Sequence, residues 1–137
     1  MLKKLKEKRG EFVLNGAIGI LIGAVALVLV LSVFGAAFKA NKLSVMAADL
    51  TRYIELCGEV NYGNISIELA RLSAAAGLEN VTVAVDAVYT GGGNRIQFGD
   101  SFTVTLNYTD RLRVGGVLSI PLPFHQSVVG RSEKYWK

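Results

Sequence analysis

The sequence offers few of the side chains that carry out catalysis or bind metals. Cys57 is the only cysteine and His125 the only histidine, and no carboxylate lies close to His125 in the chain. Ser44, Ser73 and Ser127 lack the flanking glycines of a nucleophile elbow. The sequence therefore predicts a protein that is not an enzyme and has no metal site and no cofactor.

Other ligand-binding signals are equally weak. Gly91–Gly93 lacks the lysine and hydroxyl residue of a phosphate-binding loop, so a small-molecule substrate is not expected. The formal net charge of +4 comes mainly from the first nine residues, and a nucleic-acid partner is not needed to explain it. With a single cysteine, the chain cannot form an internal disulfide, and Cys57 is expected to be a buried apolar residue.

An apolar segment, Phe12–Phe38, is the strongest signal in the chain. It contains no charge and is interrupted only by Asn15 and Ser32. A helix needs about 20 apolar residues to cross a bilayer, and this segment exceeds that length. A secretory signal peptide is the competing interpretation, but its apolar region is only about 7–15 residues long. We therefore predict a membrane partner and a retained single-pass helix at about residues 12–38.

Basic residues precede this segment, and they are Lys3, Lys4, Lys6, Lys8 and Arg9. Positive charge beside a span favours the cytoplasmic side of the membrane. The protein is therefore predicted to lie in the cell membrane, with residues 1–10 as a cytoplasmic leader. The rest of the chain beyond the span is predicted to lie outside.

An amphipathic pattern follows the span without any proline or glycine between Phe38 and Leu43. Its apolar stripe consists of Leu43, Met46, Ala47, Leu50, Ile54 and Cys57. One continuous helix is therefore predicted from Glu11 to Leu56, with Gly58 as its terminator, so that residues 11–58 form the helical segment and about 39–57 its amphipathic half.

Small residues line one face of the predicted span. They are Gly16, Gly19, Gly23 and Ala26, at helical spacing. Gly19 and Gly23 have the small-xxx-small spacing that lets helices approach closely in lipid, although glycine is also generally common in membrane helices. Asn15, near the start of the span, either sits in the headgroup region or hydrogen-bonds across a helix interface.

Residues 59–137 are predicted to form a small α+β domain. Asn64 is a candidate cap for a short helix over 65–76, and Gly77 for its end. Alternating apolar residues predict strands at 81–89 and 101–109, with a short strand at 95–98 and an edge strand at 117–124, where Pro121 and Pro123 stand. The predicted fold is α+β, with the long helix packed on a small antiparallel sheet.

The segment Arg9-Gly10-Glu11-Phe12, the long helix and the threonine-rich strand over 99–109 resemble type IV pilins and pseudopilins. The resemblance is closest to TadE-like pseudopilins and to pilin-like membrane proteins of Gram-positive bacteria, often carried on conjugative elements. It implies a subunit of a filament or of a secretion or conjugation apparatus. The implied partners are further copies and other pilin-like subunits.

The resemblance also implies a prepilin peptidase that would cut after Gly10 and leave Glu11 as the new terminus. Pilins usually carry a glutamate five residues into the mature chain, where this sequence has Asn15. The alternative functional interpretation is a membrane-anchored accessory or binding protein that does not polymerise. Asn64, Asn80 and Asn107 each begin an N-x-S/T triplet, and the sequence leaves their glycosylation open.

Overall fold

The structure is a computed structural model that describes residues 2–114 and 116–137, with the backbone alone for residues 2–6 and 114. Met1 and the side chains of Lys3, Lys4 and Lys6, which belong to the predicted leader, lie outside this description.

A single helix, α1, runs from Leu2 to Cys57. It begins before the predicted start at Glu11, because the leader is rich in lysine and leucine, which are good helix formers. It ends at Gly58, which has a φ of 64° and donates its backbone N–H to the Ile54 carbonyl at 2.8 Å. Glycine tolerates this left-handed conformation, so it terminates α1 as predicted.

A second helix, α2, runs from Tyr62 to Ala76. Its cap is Asn61, whose side-chain oxygen accepts from the N–H groups of Gly63 and Asn64 at 3.0 and 3.4 Å. The predicted cap at Asn64 is therefore wrong, and the helix starts earlier than expected. Gly77, with a φ of 70°, ends it as predicted.

Three strands form one antiparallel sheet in the order β1-β2-β3. Their bounds are Thr82–Ala87, Ser101–Val114 and Leu118–Arg131. Val85 pairs with Val104, and Phe102 pairs with Gly130. The strand β3 is an edge strand, in agreement with its prolines, but it continues beyond the predicted end at Phe124.

The predicted strand at 95–98 is absent from the sheet. Arg95 forms only isolated bridges, to Glu59 and Thr90, and the N–H of Ile96 donates to the Gly58 carbonyl at 2.8 Å. This segment is held by the end of α1, so its backbone groups are satisfied without a ladder.

The core lies between the sheet and the C-terminal half of α1, with α2 alongside. Its buried apolar side chains are Leu43, Met46, Ala47, Leu50, Ile54, Val60, Ile65, Leu69, Leu72, Leu78, Ile96, Phe102, Val104, Leu106 and Tyr108. The sheet residues among them alternate along β2, so one sheet face is covered and the other is open. The α+β fold predicted from the sequence is confirmed.

Candidate membrane segment and assembly face

The N-terminal half of α1 exposes a long apolar surface. Phe12 is 81% exposed and Phe34 69% exposed, and the most apolar window of the helix, with a mean hydropathy of 2.9, is entirely unburied. An apolar surface of this extent is unfavourable in water and marks a membrane or protein contact. In the described part of the chain, α1 is the one helix long and apolar enough to span a membrane.

Polar groups within this segment are few. Ser32 donates its hydroxyl to the Val28 carbonyl at 2.8 Å, which satisfies it inside the helix. Asn15 is exposed, near the start of the apolar segment. Gly10 and Glu11, the predicted processing site, are also exposed and both lie within α1, so a peptidase acting there would have to unwind the helix locally.

The small residues form an open stripe. Gly16, Gly19 and Gly23 have nothing within 4 Å of the position that a Cβ would occupy. At about 100° per residue, these glycines and Ala26 fall within an arc of about 80° and extend over about 15 Å of helix. The side chain of Asn15 projects from the edge of the same arc.

The stripe lies on the opposite side of α1 from the folded domain. Leu50, at the centre of the buried surface, is rotated by about 160° from Gly16 around the helix axis. The sheet domain therefore does not cover the direction in which the stripe points. A second helix can approach it without meeting the domain of the same chain.

The stripe extends further than the sequence prediction. Val30, Val33, Ala37 and Ala40 continue the alternating three- and four-residue spacing of the glycines, which is the spacing of a coiled-coil seam. An open apolar hollow on α1 is lined by Leu29, Val30, Val33, Phe34 and Ala37. The signal for these additional positions was present in the sequence as a seven-residue periodicity.

The predicted amphipathic stripe is buried except at its end. Leu43, Met46, Ala47, Leu50 and Ile54 are in the core. Cys57 is half-buried and lines a small hollow with Tyr53 and Asn64, so it is not the fully buried thiol that the sequence suggested.

An ion pair marks the boundary between the two halves of α1. Lys39, the first residue after the apolar segment, donates to Asp110 on β2 at 2.5 Å. Burial of Asp110 raises the pKa of its carboxyl, but the hydrogen bonds from Lys39, the Arg111 backbone and Tyr108, with the charge of Lys39, together lower it below its ordinary value. Lys42 donates to the Ala76 carbonyl at 2.9 Å and ties α2 to the same region.

The C-terminal tail packs against the C-terminal end of α1. This contact was not predicted from the sequence. The indole N–H of Trp136 donates to the Gly58 carbonyl at 2.9 Å, and Arg95 and Lys134 lie over its ring. Ser132 is buried and donates to the Ile96 carbonyl at 3.0 Å. The only available signal was the presence of the single tryptophan in an otherwise polar tail.

Glu55 completes this contact. Its carboxylate accepts from the Arg131 backbone N–H at 3.1 Å, and its carbonyl accepts from Glu133 N–H at 2.9 Å. Arg52 bridges the Glu55 and Glu133 carboxylates at 3.1 and 2.5 Å. The end of α1 thus organises the last residues of the chain.

The open face of the sheet is polar. The hydroxyls of Thr105 and Ser127 lie 3.0 Å apart, and His125 Nδ1 lies 2.5 Å from the Asn107 amide oxygen. Of the three candidate glycosylation residues, Asn64 and Asn80 are exposed, whereas Asn107 is half-buried in β2. Over residues 2–114 and 116–137, no group of three or more metal-ligating side chains is found.

These observations define a class of protein: a small α+β domain carried on a helix that is long and apolar enough to cross a membrane. Residues 20–137 match a protein family described as a domain of unknown function, DUF4320. The chain therefore belongs to the DUF4320 family. No curated protein and no solved structure matches it significantly.

Proposed function

We propose that this chain is a pilin-like structural subunit, held in the membrane by α1 and assembled with further copies through the small-residue stripe. The assembly is an extracellular filament or part of a type IV pilus-related secretion or conjugation apparatus. The subunit has no enzymatic role, because its contribution is the packing of one helix against others.

The observation that carries this proposal is the open stripe on the side of α1 that faces away from the domain. Glycine and alanine let two helix backbones approach closely, which strengthens dispersion contacts between helices in lipid. A helix that served only as an anchor would need apolar side chains of any size on all sides. The continuation of the seam to Ala40 gives the contact a length that an isolated pair of glycines lacks.

The topology of the proposal follows from charge. Lys8 and Arg9 precede the apolar segment and favour a cytoplasmic N-terminus, so in this proposal the sheet domain lies outside the cell. If a prepilin peptidase acts on this chain, its cut after Gly10 removes these charges. Asn15 would then be positioned to hydrogen-bond with a neighbouring helix, at the position where pilins usually carry a glutamate.

The stripe is tested with the double variant G19L/G23L in the full-length chain. Two leucines place bulk where the helices would touch, so crosslinked oligomers in native membranes and filaments in negative-stain images should be lost. The matched control is A17L/A24L, which adds two leucines to the same part of α1 but on a side about 120° or more away from the centre of the stripe.

The two variants together decide the proposal. Loss of assembly in G19L/G23L with normal assembly in A17L/A24L supports it, provided that both reach the membrane in equal amounts. Equal assembly in both variants overturns it. Mass spectrometry of the N-terminus of the native protein tests processing separately, since a chain that starts at Met1 excludes cleavage after Gly10.

A second candidate function is a membrane-anchored accessory protein whose sheet recognises a partner. The exposed polar groups on the open face, such as Ser127 and His125, favour it, because no other residue that the structure describes covers them. It differs from the first proposal in a measurable way. The accessory protein remains dispersed in membranes and tolerates G19L/G23L, but loses its partner when the open face is altered.

A further inference from the structure

The hairpin between β2 and β3 extends beyond the region where α1 covers the sheet. Phe102, near the start of β2, meets Gly130 beside Thr51, whereas Asp110 meets Lys39. The strand β2 therefore runs back along α1 towards the apolar segment. It continues from Asp110 to Val114, about 13 Å further along the strand. Because the strand from Phe102 to Asp110, about 26 Å long, matches only about 18 Å of helix between Thr51 and Lys39, this extension corresponds to about 9 Å along α1 and brings the end of the hairpin level with about Val33.

The inner face of the sheet remains apolar along this extension. Leu112 pairs with Ile120, and Leu118 follows on the same face. Nearer the core, the corresponding residues Val104 and Leu106 are fully covered, but Leu118 is 62% exposed. Val117, in the turn, is 91% exposed. The apolar pattern thus continues where the described residues of the chain provide little cover.

Basic side chains flank this apolar end. Arg111 and Arg113 are exposed, and the ion pairs found among the described residues involve Lys39, Arg52 and Arg71 instead. An apolar cluster flanked by arginines is typical of a protein surface at the membrane interface, where apolar groups enter the acyl boundary and cations remain among the phosphates. The same composition would be less suited to a protein partner, which usually pairs or buries such charges.

The depth of the hairpin fits such a contact. The segment Phe12–Phe38 is about 40 Å long as a helix, whereas the hydrocarbon core is about 30 Å thick, so its last turns lie at the level of the headgroups. The strand ladder with β1 ends at Asn107, so β2 has free backbone groups beyond that point. Such groups are too costly for the hydrocarbon core, and this limits the hairpin to the hydrated interface.

We infer that the end of the β2–β3 hairpin, formed by Arg111, Leu112, Arg113, Val117, Leu118 and Ile120, is a second membrane-binding surface that docks on an anionic lipid headgroup layer beside α1. This hairpin surface rests on the membrane insertion of α1 in the proposed function, but not on helix assembly. It fixes the domain against the bilayer and sets its tilt relative to α1.

The test uses the full-length chain with C57S, so that a single introduced cysteine carries an environment-sensitive fluorophore. V117C labels the hairpin surface, F98C labels another exposed apolar position at the opposite end of the domain, and V25C labels the span. The proteins are reconstituted in vesicles of phosphatidylcholine and phosphatidylglycerol, and in nanodiscs that hold one copy each. We expect blue-shifted emission and quenching by lipids brominated close to the headgroup for V117C, and neither for F98C.

The outcomes separate the two proposals. If V25C is quenched deeply but V117C gives the emission of a water-exposed dye, the hairpin inference is overturned and membrane insertion stands. If V25C is not quenched, both fail. A V117C blue shift that is present in crowded vesicles but lost at one copy per nanodisc identifies contact between copies and overturns the lipid assignment.

A second part of the experiment tests the role of the two hairpin arginines. R111Q/R113Q should remove the dependence of the V117C signal on phosphatidylglycerol, because these arginines are the groups placed to meet anionic headgroups. R71Q/R131Q removes the same charge elsewhere and should leave that dependence unchanged. An equal loss in both double variants would indicate a non-specific charge effect and overturn the role of the two hairpin arginines.

Discussion

The two halves of α1 are one continuous helix with opposite relations to their surroundings. In the half after Lys39, Leu43, Leu50 and Ile54 are almost completely buried by the sheet and α2. In the half before it, apolar side chains of the same kinds are exposed on every side. Hydrophobicity alone does not distinguish them. What differs is the distribution of apolar side chains around the helix. A single apolar stripe predicts packing against a protein core, whereas apolar side chains around the complete circumference predict contact with lipid.

The largest difference in stability between the two halves is expected when one leucine in each is replaced by alanine. L50A leaves a cavity in the core and should lower the free energy of unfolding by about 2–5 kcal/mol. L21A, in the exposed half, should leave the stability of the domain within about 0.5 kcal/mol. Urea titration in detergent, followed by the fluorescence of Trp136, measures both. A similar loss in both variants would show that the domain depends on the whole helix.

The next largest loss of stability is expected where the C-terminal tail packs against the end of α1. G58A imposes a left-handed conformation on alanine and also places its Cβ 2.5 Å from the Lys134 Cβ. G77A imposes the same conformation with nothing within 4 Å, so it should cost only about 1–2 kcal/mol. We expect G58A to cost about 1–3 kcal/mol more, from the displaced tail. Equal losses by circular dichroism would mean that the tail contributes little.

The contact between the buried half and β3 gives a similar or smaller effect. A Cβ at Gly130 would lie 2.6 Å from Thr51 Cγ2 and 2.7 Å from Phe102 Cζ. G130A should therefore destabilise the domain by about 1–3 kcal/mol through overpacking. G93A, in the open loop, provides the control because nothing lies within 4 Å of its Cβ position. Thermal unfolding measures the stability of both variants. An unchanged melting temperature in both would contradict the tight packing of β3 on α1.

The smallest change in stability is expected at the Lys39–Asp110 ion pair, which marks the boundary between the two halves of α1. Because the pKa of Asp110 is lowered in the folded state, its interaction with Lys39 is fully present above the ordinary carboxyl pKa of about 3.9 and is lost as the pH falls through the lower folded value. D110N should reduce stability at pH 7 by less than about 1 kcal/mol, since Lys39 is partly exposed. The difference between D110N and the natural chain should shrink below pH 4. A constant difference down to low pH would remove the ion pair as its cause.

The sequence allowed the parts with a regular period to be predicted. The helical stripe from Leu43 to Ile54 and the alternation along β2 were sufficient to assign the core and the covered sheet face. The exposed stripe from Gly16 to Ala26 was also accessible in this way. Its continuation to Ala40 was missed because valine there is unremarkable unless the seven-residue spacing is followed past the glycines.

The remaining parts depend on contacts between distant residues. Ile96 suggested a strand, but its N–H is taken by the Gly58 carbonyl at the end of α1. The second half of β3 contains few strand formers, and pairing with β2 imposes its conformation. The docking of Trp136 has no local pattern at all. The glycine within β3, Gly130, was a usable sign of close approach, because glycine weakens a strand that has no such contact.

The position of Trp136 on Gly58 has a consequence for synthesis. The segment that completes the packing around the end of α1 is made after the helix and the sheet. While this segment is still within the ribosome or an export channel, the domain lacks the hydrogen bond from the indole and the burial of Ser132. The fold is therefore finished only after this segment has emerged, although α1 and the sheet are already made by then.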